Sequence, residues 1–448
     1  MRRLTCALLV VHLSVFWLSA AAAQQTKAPG VTAFTNVTII PMDRERTIAN
    51  QTVIVRGDRI VTVGAAATTR IPRGAKRVDG RGRFLLPGLA EMHGHIPPPN
   101  APPDLIANVL FLYVANGITT VRGMLGSPGQ LELRERARSG AITSPTLYLA
   151  GPSFNGNSVN SPADAERMVR EQKAQGWDLL KVHPGLTGEE YEAMARTARE
   201  VGIRFGGHVP AEVGLLRAIA SGQETFDHLD GYIELLEGTR APLDSARLAS
   251  IARTTREANA WVVPTSALWE TLLGVPTVET LKAFPELRYM PASMVSSWVK
   301  AHENRLSSPQ FDPVVARQTA ANRVTLLAAL HQGGVGILMG TDAPQQFSVP
   351  GFSLHRELRK MAQSAMSPYD IIATGTRNVG LYFASSDTFG VVAPGQRADL
   401  LLVNGNPLDD LANLERRSGV MVRGRWLSEA DIQTRLTKIA SAYGQPNP

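Results

Sequence analysis

Two histidines separated by one residue, His93 and His95, are the first candidates for chemistry in this sequence. They follow an apolar segment, and alternate residues of an extended strand point to the same side, so both imidazoles can face one metal ion. Two polar residues in a surface loop would give the same spacing, because a chance His-x-His pair is not rare. The pair alone therefore leaves metal binding and a loop equally open.

Lys181 lies within the apolar segment Leu179–Val182, which is a costly place for an ammonium group unless its charge is paired or removed. Its aliphatic stem could pack there while the charged end reaches solvent. Alternatively, a nearby metal lowers the pKa of the amine, and the neutral amine reacts with CO2 to form a carbamate. That anionic group would be an oxygen ligand bridging two metals.

Three further polar residues each follow a short apolar segment, namely His208, His228 and Asp342. Taken singly, a histidine in such a place is more often a hydrogen-bonded structural residue, and an aspartate is more often a helix N-cap. The interpretation changes when all six candidates are considered together with the elements that must position them.

From Phe84 onward, short apolar segments alternate with amphipathic helical stretches, which indicates β–α repetition and a parallel sheet. The predicted strands are Phe84–Met92, Gly117–Arg122, Thr146–Ala150, Leu179–Val182, Ile203–Gly207, Thr225–His228, Trp261–Pro264 and Val335–Gly340. Such a series predicts an α/β fold of the (β/α)8, or TIM-barrel, type, whose active sites lie at the carboxyl ends of the strands. The six candidates then end strands one, one, four, five, six and eight, a convergence that chance does not readily produce. The longer segment Ser266–Arg323 predicts extra helices over the barrel mouth.

Both ends of the chain have the texture of strands, with β-branched runs such as Thr52–Val55 and a similar run at Ala398–Val403. We predict that residues 24–83 and 387–431 form one small β-sandwich, with the barrel of residues 84–386 inserted between them. Residues 432–448 are predicted to form a C-terminal tail.

The first 23 residues are typical of a secretory signal peptide, because Arg2 and Arg3 precede the uncharged apolar run Leu4–Leu18 and a small-residue site ends at Ala23. An uncleaved membrane anchor is the alternative, but the run is shorter than the roughly 20 residues that a spanning helix needs. We expect an exported protein, periplasmic or secreted, with no membrane association after cleavage. The single cysteine, Cys6, would leave with this leader, so any metal ligands must be His, carboxylate or modified Lys.

The segment Pro87–His95, with the sequence PGLAEMHGH, resembles the first-strand motif of the amidohydrolase superfamily. Lys181, His208, His228 and the segment Gly340–Asp342 resemble the later metal ligands of that family. Among its subtypes, the lysine on the fourth strand resembles the binuclear one rather than the mononuclear deaminases that lack it.

The segments Gly390–Gly395 and Ala398–Leu400 resemble the returning β-sandwich strands of the same family. The resemblance covers nearly all of the chain after the leader and is closest to the imidazolonepropionase-like and prolidase-like branch. Two positions depart from the usual pattern, because Glu91 and Gly123 stand where the family commonly has Asp. Because neither residue is an implied metal ligand, these departures bear on the groups that orient the ligands and on the substrate class more than on metal binding.

The resemblance implies a centre of two divalent metal ions, with zinc the favoured metal. The implied ligands are His93 and His95 for the more buried ion, His208 and His228 for the more exposed ion, Asp342 for the buried ion, and carbamylated Lys181 bridging both together with a hydroxide. The hydroxide would attack the substrate carbonyl, Asp342 would pass its proton to the leaving group, and the exposed metal would stabilise the oxyanion.

Three other residues are candidates for contact with substrate or for a catalytic role. Arg122 could pair with a substrate carboxylate, or it could form a structural salt bridge. His183, two residues after Lys181, could reach the substrate or hydrogen-bond to a ligand. Tyr232, four residues after His228, could donate its phenol to the oxyanion or to a carboxylate, or it could simply pack.

These features predict a binuclear metal-dependent hydrolase that cuts amide or peptide C–N bonds, with a dipeptidase acting on Xaa-Pro or similar dipeptides as the favoured form. A lactonase or esterase, a mononuclear deaminase and a non-catalytic binding protein are the alternatives, and Lys181 argues against the deaminase. The expected partner is a small amide or dipeptide. The formal charge of +7 is dispersed along the chain and gives no nucleic-acid footprint, and a homo-oligomer is left open.

Overall fold

The computed structural model describes residues 30–444. The predicted leader of residues 1–23 and the last four residues lie outside the described part. None of the described helices combines the length and the apolar character needed to cross a bilayer.

The strands are β1 (Val31–Ile39), β2 (Ile48–Arg56), β3 (Arg59–Ala65), β4 (Lys76–Asp79), β5 (Phe84–Pro87), β6 (Leu89–Gly94), β7 (Ile118–Gly123), β8 (Thr146–Leu149), β9 (Leu179–Val182), β10 (Arg204–Gly207), β11 (Thr225–Asp227), β12 (Trp261–Val263), β13 (Gly336–Ile337), β14 (Leu400–Val403), β15 (Arg417–Val422) and β16 (Arg425–Ser428).

The helices are α1 (Pro103–Ala115), α2 (Gln130–Arg138), α3 (Pro162–Gln175), α4 (Gly188–Val201), α5 (Leu215–Ala220), α6 (Tyr232–Leu235), α7 (Ser245–Glu257), α8 (Ser266–Leu272), α9 (Val278–Lys282), α10 (Ala292–Leu306), α11 (Pro313–Gln332), α12 (Phe352–Ala362), α13 (Pro368–Thr374), α14 (Arg377–Tyr382) and α15 (Glu429–Ala442), with 3-10 turns at Pro285–Tyr289 and Leu411–Glu415.

Local sequence explains where several of these helices begin and end. The side chains of Ser161 and Thr187 accept hydrogen bonds from backbone N–H groups in the first turns of α3 and α4, which satisfies donors that the helix cannot. Gly176 follows α3 with a φ of 88°, a left-handed conformation that a glycine adopts without a side-chain clash. Such boundaries separate the helices from the short buried strands.

The strands from the two chain ends form one mixed sheet in the order β16-β15-β14-β5-β1-β2-β3, with β4 paired to β1. Its buried apolar side includes Phe34, Val53, Leu85, Leu400 and Met421, which come from both ends of the sequence. This sheet fits the small β-sandwich predicted from residues 24–83 and 387–431.

The parallel strands β6 to β13 follow one another around a ring. Two ladders, β6-β7-β8 and β9-β10-β11-β12-β13, are joined by a parallel bridge between Ala150 and Leu179. The ring closes where the N–H of Met92 donates to the carbonyl of Met339 over 2.8 Å. Helices α1, α2 and α4 contact β7, β8 and β10, so the alternation of strand and helix predicted from the sequence is present.

The predicted first barrel strand, Phe84–Met92, is in fact two strands that belong to different layers. Phe84–Pro87 pairs antiparallel with β14 in the mixed sheet, and Leu89–Gly94 pairs with β7 in the ring. The chain changes layers at Gly88, where a Cβ would lie 2.3 Å from Oγ1 of Thr119. Both segments are apolar because both are buried, so hydrophobicity alone does not mark the boundary.

The segment between β12 and α11 carries extra helices, as its length predicts. Phe347 lies in the loop that follows Asp342. Its ring centroid is 6.0 Å from that of Trp298 and 6.2 Å from that of His302, both on α10. The backbone carbonyl of Phe347 also accepts a hydrogen bond from Arg356 over 2.6 Å. Helix α10 is therefore packed against the loop that follows Asp342, one of the predicted metal ligands.

Candidate metal centre

The structure brings the six predicted metal ligands together at the carboxyl ends of the ring strands. His93 lies in β6 and His95 directly follows it, Lys181 lies in β9, and the remaining three residues follow β10, β11 and β13; they are His208, His228 and Asp342. Parallel strands present their carboxyl ends on one face of the ring, which explains how residues far apart in sequence meet.

Three imidazoles converge on the carboxylate of Asp342. The Nε2 atoms of His95, His93 and His228 lie 2.5, 3.5 and 3.6 Å from its oxygens. The ring of His228 is 4.5 Å from that of His93, centroid to centroid. Such a group of nitrogens around one carboxylate is a donor set suited to a divalent transition metal.

His208 extends the group on its other side. Its ring centroid is 4.7 Å from that of His228 and 4.9 Å from that of His183, on which it stacks. The structure thus places His183 beside the ligands and leaves it partly exposed. Burial is the main cause that lowers the pKa of His183, to about 3, so its imidazole is neutral.

Lys181 is fully buried at the centre of the group. Its Nζ lies 3.4 Å from Nε2 of His93 and 3.7 Å from Oδ2 of Asp227. Gly207 leaves space for it, because a Cβ at that position would lie 3.0 Å from Cδ of Lys181. Burial lowers the pKa of the Lys181 amine, with Asp227 opposing that effect, and a neutral amine is the form that reacts with CO2.

Three of the site histidines have Nδ1 next to a polar side chain, which leaves Nε2 for a ligand. Nδ1 of His208 lies 2.5 Å from Oδ2 of Asp230. Nδ1 of His228 lies 2.8 Å from Oγ1 of Thr265. A hydrogen bond at one ring nitrogen fixes the tautomer and the orientation in which the other can bind metal.

The third such pair is His93 and Asp227, both buried. Nδ1 of His93 is 2.9 Å from Oδ2 of Asp227, although neither atom has a partner with hydrogen-bond geometry in the described residues. Oδ1 of the same carboxylate contacts Arg122 at 3.1 Å. Burial raises the pKa of Asp227, but Arg122 and Lys181 outweigh that effect and hold it below its usual value, so Asp227 is an anion beneath the site.

The electrostatics of the site also suit a bound cation. Burial lowers the pKa of His93 and of His228 well below the usual value, and the nearby positive groups lower both further. Their imidazoles are therefore neutral, which is the form that coordinates metal. Ligand atoms of His93, His95 and Asp342 all lie within 4.8 Å of one another, and these three residues form a site consistent with a divalent metal.

Glu91 stands where the family usually has Asp, and it holds the two ends of the ring together. Its carboxylate accepts hydrogen bonds from the N–H of His93 at 3.0 Å and the N–H of Thr341 at 2.7 Å. Burial raises its pKa to about 8, although the hydrogen bonds from Thr341 and His93 oppose this. Glu91 thereby fixes the backbone next to two metal ligands, His93 and Asp342.

Arg122 and Tyr232 are not placed to contact a substrate. The Arg122 side chain is fully buried and donates to the carbonyl of Met92, to Thr225 and to Asp227. The structural salt bridge, one of the two roles considered for it, is the one observed. Tyr232 is also buried, and its hydroxyl lies 2.9 Å from Oγ1 of Thr255 on α7, so packing rather than substrate contact describes it.

Comparison with known proteins fits this geometry. The family model described as "Amidohydrolase family" matches residues 84–427. The chain belongs to the amidohydrolase family. The α/β fold expected from the sequence is therefore confirmed, and the ring of eight parallel strands agrees with the barrel that the family implies.

Among curated proteins, this amidohydrolase is 24% identical over 414 residues to adenine deaminase 3 of Rhizobium meliloti, covering 88% of the chain and 56% of that protein. It is 26% identical over 205 residues to the imidazolonepropionase of Cupriavidus taiwanensis, covering 45% of the chain and 43% of that protein. The chain thus spans only about half the length of the curated relatives that it matches.

Among solved structures, the chain is similar to a bottromycin amidohydrolase, with a TM-score of 0.73, 23% identity, and coverage of 93% of this chain and 91% of that one. It is similar to a Xaa-Pro dipeptidase with bound methionine in the active site, with a TM-score of 0.67, 21% identity, and coverage of 89% and 100%. The resemblance to imidazolonepropionase-like and prolidase-like amidohydrolases is confirmed.

Sequence reasoning missed the residues that support the ligands, namely Asp227, Asp230 and Thr265. Asp227 directly precedes His228, and an alternating strand would turn the two side chains to opposite sides. They approach the same site because His228 has a φ of 63°, which ends the alternation. The run Asp227-His228-Leu229-Asp230 was a usable signal, since carboxylates next to metal-binding histidines often orient them.

Proposed function

We propose that this protein is a metal-dependent hydrolase of amide or peptide C–N bonds, with dipeptides as the substrate class. The observation that carries the proposal is the convergence of four imidazoles, the buried amine of Lys181 and the Asp342 carboxylate at one face of the ring. The similarity to a Xaa-Pro dipeptidase supports the choice of dipeptides.

In this proposal the centre holds two divalent ions, with zinc the best match to the donors. The ligands would be His93, His95 and Asp342 for one ion, His208 and His228 for the other, and Lys181 as a carbamate shared by both. When bound, such ions polarise a substrate carbonyl and lower the pKa of water. Lys181 loses a proton as its amine adds to CO2, which the burial of the side chain favours.

We assign the proton transfers to Asp342, whose carboxylate lies among three imidazoles at the strand ends. It accepts the proton of the attacking water and returns it to the leaving amine nitrogen, so that a C–O bond forms as the C–N bond breaks. His183, partly exposed beside His208, is positioned to contact the substrate.

A deaminase with one metal ion is the second candidate, since three curated relatives at 21–24% identity are adenine deaminases. Bound metal per chain separates the two ideas, because the hydrolase proposal requires close to two ions and the deaminase idea close to one. Lys181 favours two, since a buried amine beside neutral histidines can serve as a carbamate ligand as well as a partner of Asp227, 3.7 Å away.

The deciding experiment is a substrate panel on protein loaded with zinc or with manganese. It should contain Xaa-Pro and other dipeptides, simple amides, esters, lactones and adenine. Cleavage of dipeptides, lost in Asp342→Asn, supports the proposal. Turnover of adenine alone, or of esters and lactones alone, replaces it with the corresponding alternative, and metal-loaded protein without any turnover indicates a binding protein.

We also propose export of the protein, on the basis of the leader-like composition of residues 1–23. Intact mass of protein recovered from a bacterial periplasm should match a chain that begins at Gln24. A mass that retains Met1 in the membrane fraction contradicts cleavage and favours an anchor.

A further inference from the structure

Thr265, which follows β12, has an unfavourable backbone conformation next to the candidate metal centre. Its φ is 45°, in the left-handed region, where a β-branched residue is a rare outlier. A residue stays in this conformation only where its surroundings fix it. The residue is fully buried, and its hydroxyl contacts Nδ1 of His228 at 2.8 Å.

The peptide groups after Thr265 are held by an acid from an outer helix. The two carboxylate oxygens of Glu357, on α12, accept hydrogen bonds from the N–H groups of Ser266 at 2.9 Å and Ala267 at 2.8 Å. Glu357 is fully buried. The carboxylate thus fixes the orientation of the chain immediately after the strained residue.

The carbonyl group before Thr265 is held by an arginine from another outer helix. Arg323, on α11, is buried and donates from Nη2 to the carbonyls of His228 and Pro264, the latter at 3.2 Å. Its guanidinium also lies over the ring of Trp269, 4.5 Å from the centroid. One side chain therefore links the strand end that carries the ligand to the strand end that carries Thr265.

We infer that Glu357 and Arg323 are positioning residues that hold Thr265 in its strained conformation, so that its hydroxyl keeps Nε2 of His228 directed at the metal. We call this pair the outer clamp. The inference rests on the proposed function in taking His228 as a metal ligand. Glu357 acts through Thr265, whereas Arg323 also holds the backbone carbonyl of His228.

A purely structural role is the competing explanation, because Glu357 also binds the first N–H groups of α8. In that case, loss of Glu357 lowers stability but leaves the metal affinity of the folded protein unchanged. The outer clamp instead predicts that Glu357 affects metal affinity only by holding the Thr265 hydroxyl against His228, so loss of either group should weaken metal binding. Measurement of cobalt(II) binding, rather than turnover, distinguishes the two.

The experiment uses full-length protein stripped with chelator and titrated with cobalt(II) alone, with bound metal and the visible absorption of cobalt as readouts. Thr265→Val keeps the shape of the side chain and removes its hydroxyl, whereas Thr265→Ser retains the hydroxyl. We expect Thr265→Val and Glu357→Gln to weaken cobalt binding on the order of 10–100-fold and to change the spectrum. Thr265→Ser should stay within a few fold of the wild type.

The double variant Thr265→Val/Glu357→Gln should bind cobalt no more weakly than Thr265→Val, because both changes act through one hydroxyl. Circular dichroism checks that each variant is folded. If Glu357→Gln does not fold, the comparison of Thr265→Val with Thr265→Ser tests the inference. Wild-type affinity and spectrum in folded Thr265→Val overturn the inference but leave the proposed function intact. A wild-type protein that takes up no cobalt overturns both.

Discussion

At the scale of single residues, the arrangement around His93 shows how the site resolves a conflict between burial and charge. Asp227 faces Nδ1 of His93, Nζ of Lys181 and a guanidinium nitrogen of Arg122, at 2.9, 3.7 and 3.1 Å. A fully buried arginine requires a counter-charge, and the same carboxylate also orients a metal ligand. One residue thereby couples the stability of the ring interior to the chemistry at its face.

Replacing Asp227 tests that coupling. Asp227→Asn leaves Arg122 buried without its anion, so we expect a loss of about 3–5 kcal/mol in the free energy of unfolding and metal affinity weakened on the order of 10–100-fold. Thermal unfolding and competition with a chelator measure the two. The matched control is Asp230→Asn, since Asp230 orients His208 at 2.5 Å but is partly exposed. Equal stability of both variants would contradict the argument.

Replacing Lys181 tests the carbamate. Lys181→Ala removes the proposed carbamate ligand, so we expect the variant to bind less than one metal ion per chain and to lose activity. Short carboxylic acids, which supply an oxygen anion in the vacated space, should partly restore both. The measurement is metal content by atomic absorption with and without acetate. Full metal content in the alanine variant without any acid argues against the carbamate.

The sequence was sufficient to select six side chains that meet at one face of the ring, because each stands in or just after an apolar segment and the order of segments implies that face. It was not sufficient for Arg122 and Tyr232. Arg122 lies at a strand end as a substrate contact would, yet its partners come from β6 and β11, which only the folded ring brings near. Tyr232 is turned to Thr255 by the short helix α6, and sequence spacing does not reveal that rotation.

At the scale of elements, six of the eight predicted ring strands agree with the observed strands to within one residue at each end. Leu179–Val182 coincides with β9, whereas Val335–Gly340 is longer than β13. Met339 instead pairs with Met92 across the closure of the ring. The length of a strand in a closed ring depends on its neighbours, and these are far away in sequence.

Gly207, the last residue of β10, offers a test at this scale. Its φ is 128°, and a Cβ would lie 2.4 Å from the carbonyl oxygen of Val182 and 3.0 Å from Cδ of Lys181. We expect Gly207→Ala to lower both the thermal unfolding midpoint and the metal content. Gly176→Ala is the control, because its φ is 88° but nothing lies within 4 Å of the added Cβ, so only the left-handed strain of about 1–2 kcal/mol applies. Unchanged metal content in folded Gly207→Ala would contradict the expected effect on Lys181.

At the scale of the whole molecule, one buried arginine joins the mixed sheet to the ring. Arg397 pairs with Asp399 at 2.6 Å and with Asp387, and its Nη2 donates to Oγ1 of Thr120 in β7. Its side chain is completely buried. The family's returning segment, which looked from the sequence like a simple strand, thus also supplies a charged link between two layers.

Removing that link should affect stability without affecting chemistry. Arg397→Met leaves the Asp399 carboxylate, which is almost fully buried, without its cation, so we expect the free energy of unfolding to fall by about 3–5 kcal/mol. The control is Arg59→Met, because Arg59 contacts the same Asp387 at 3.2 Å from a partly exposed position, where an ion pair contributes about 0–1 kcal/mol. Metal affinity of folded protein should be unchanged in both, since neither residue contacts the ligands. Weaker metal binding in folded Arg397→Met would mean that the mixed sheet sets the geometry of the strand ends, and the two layers would then have to be treated as one functional unit.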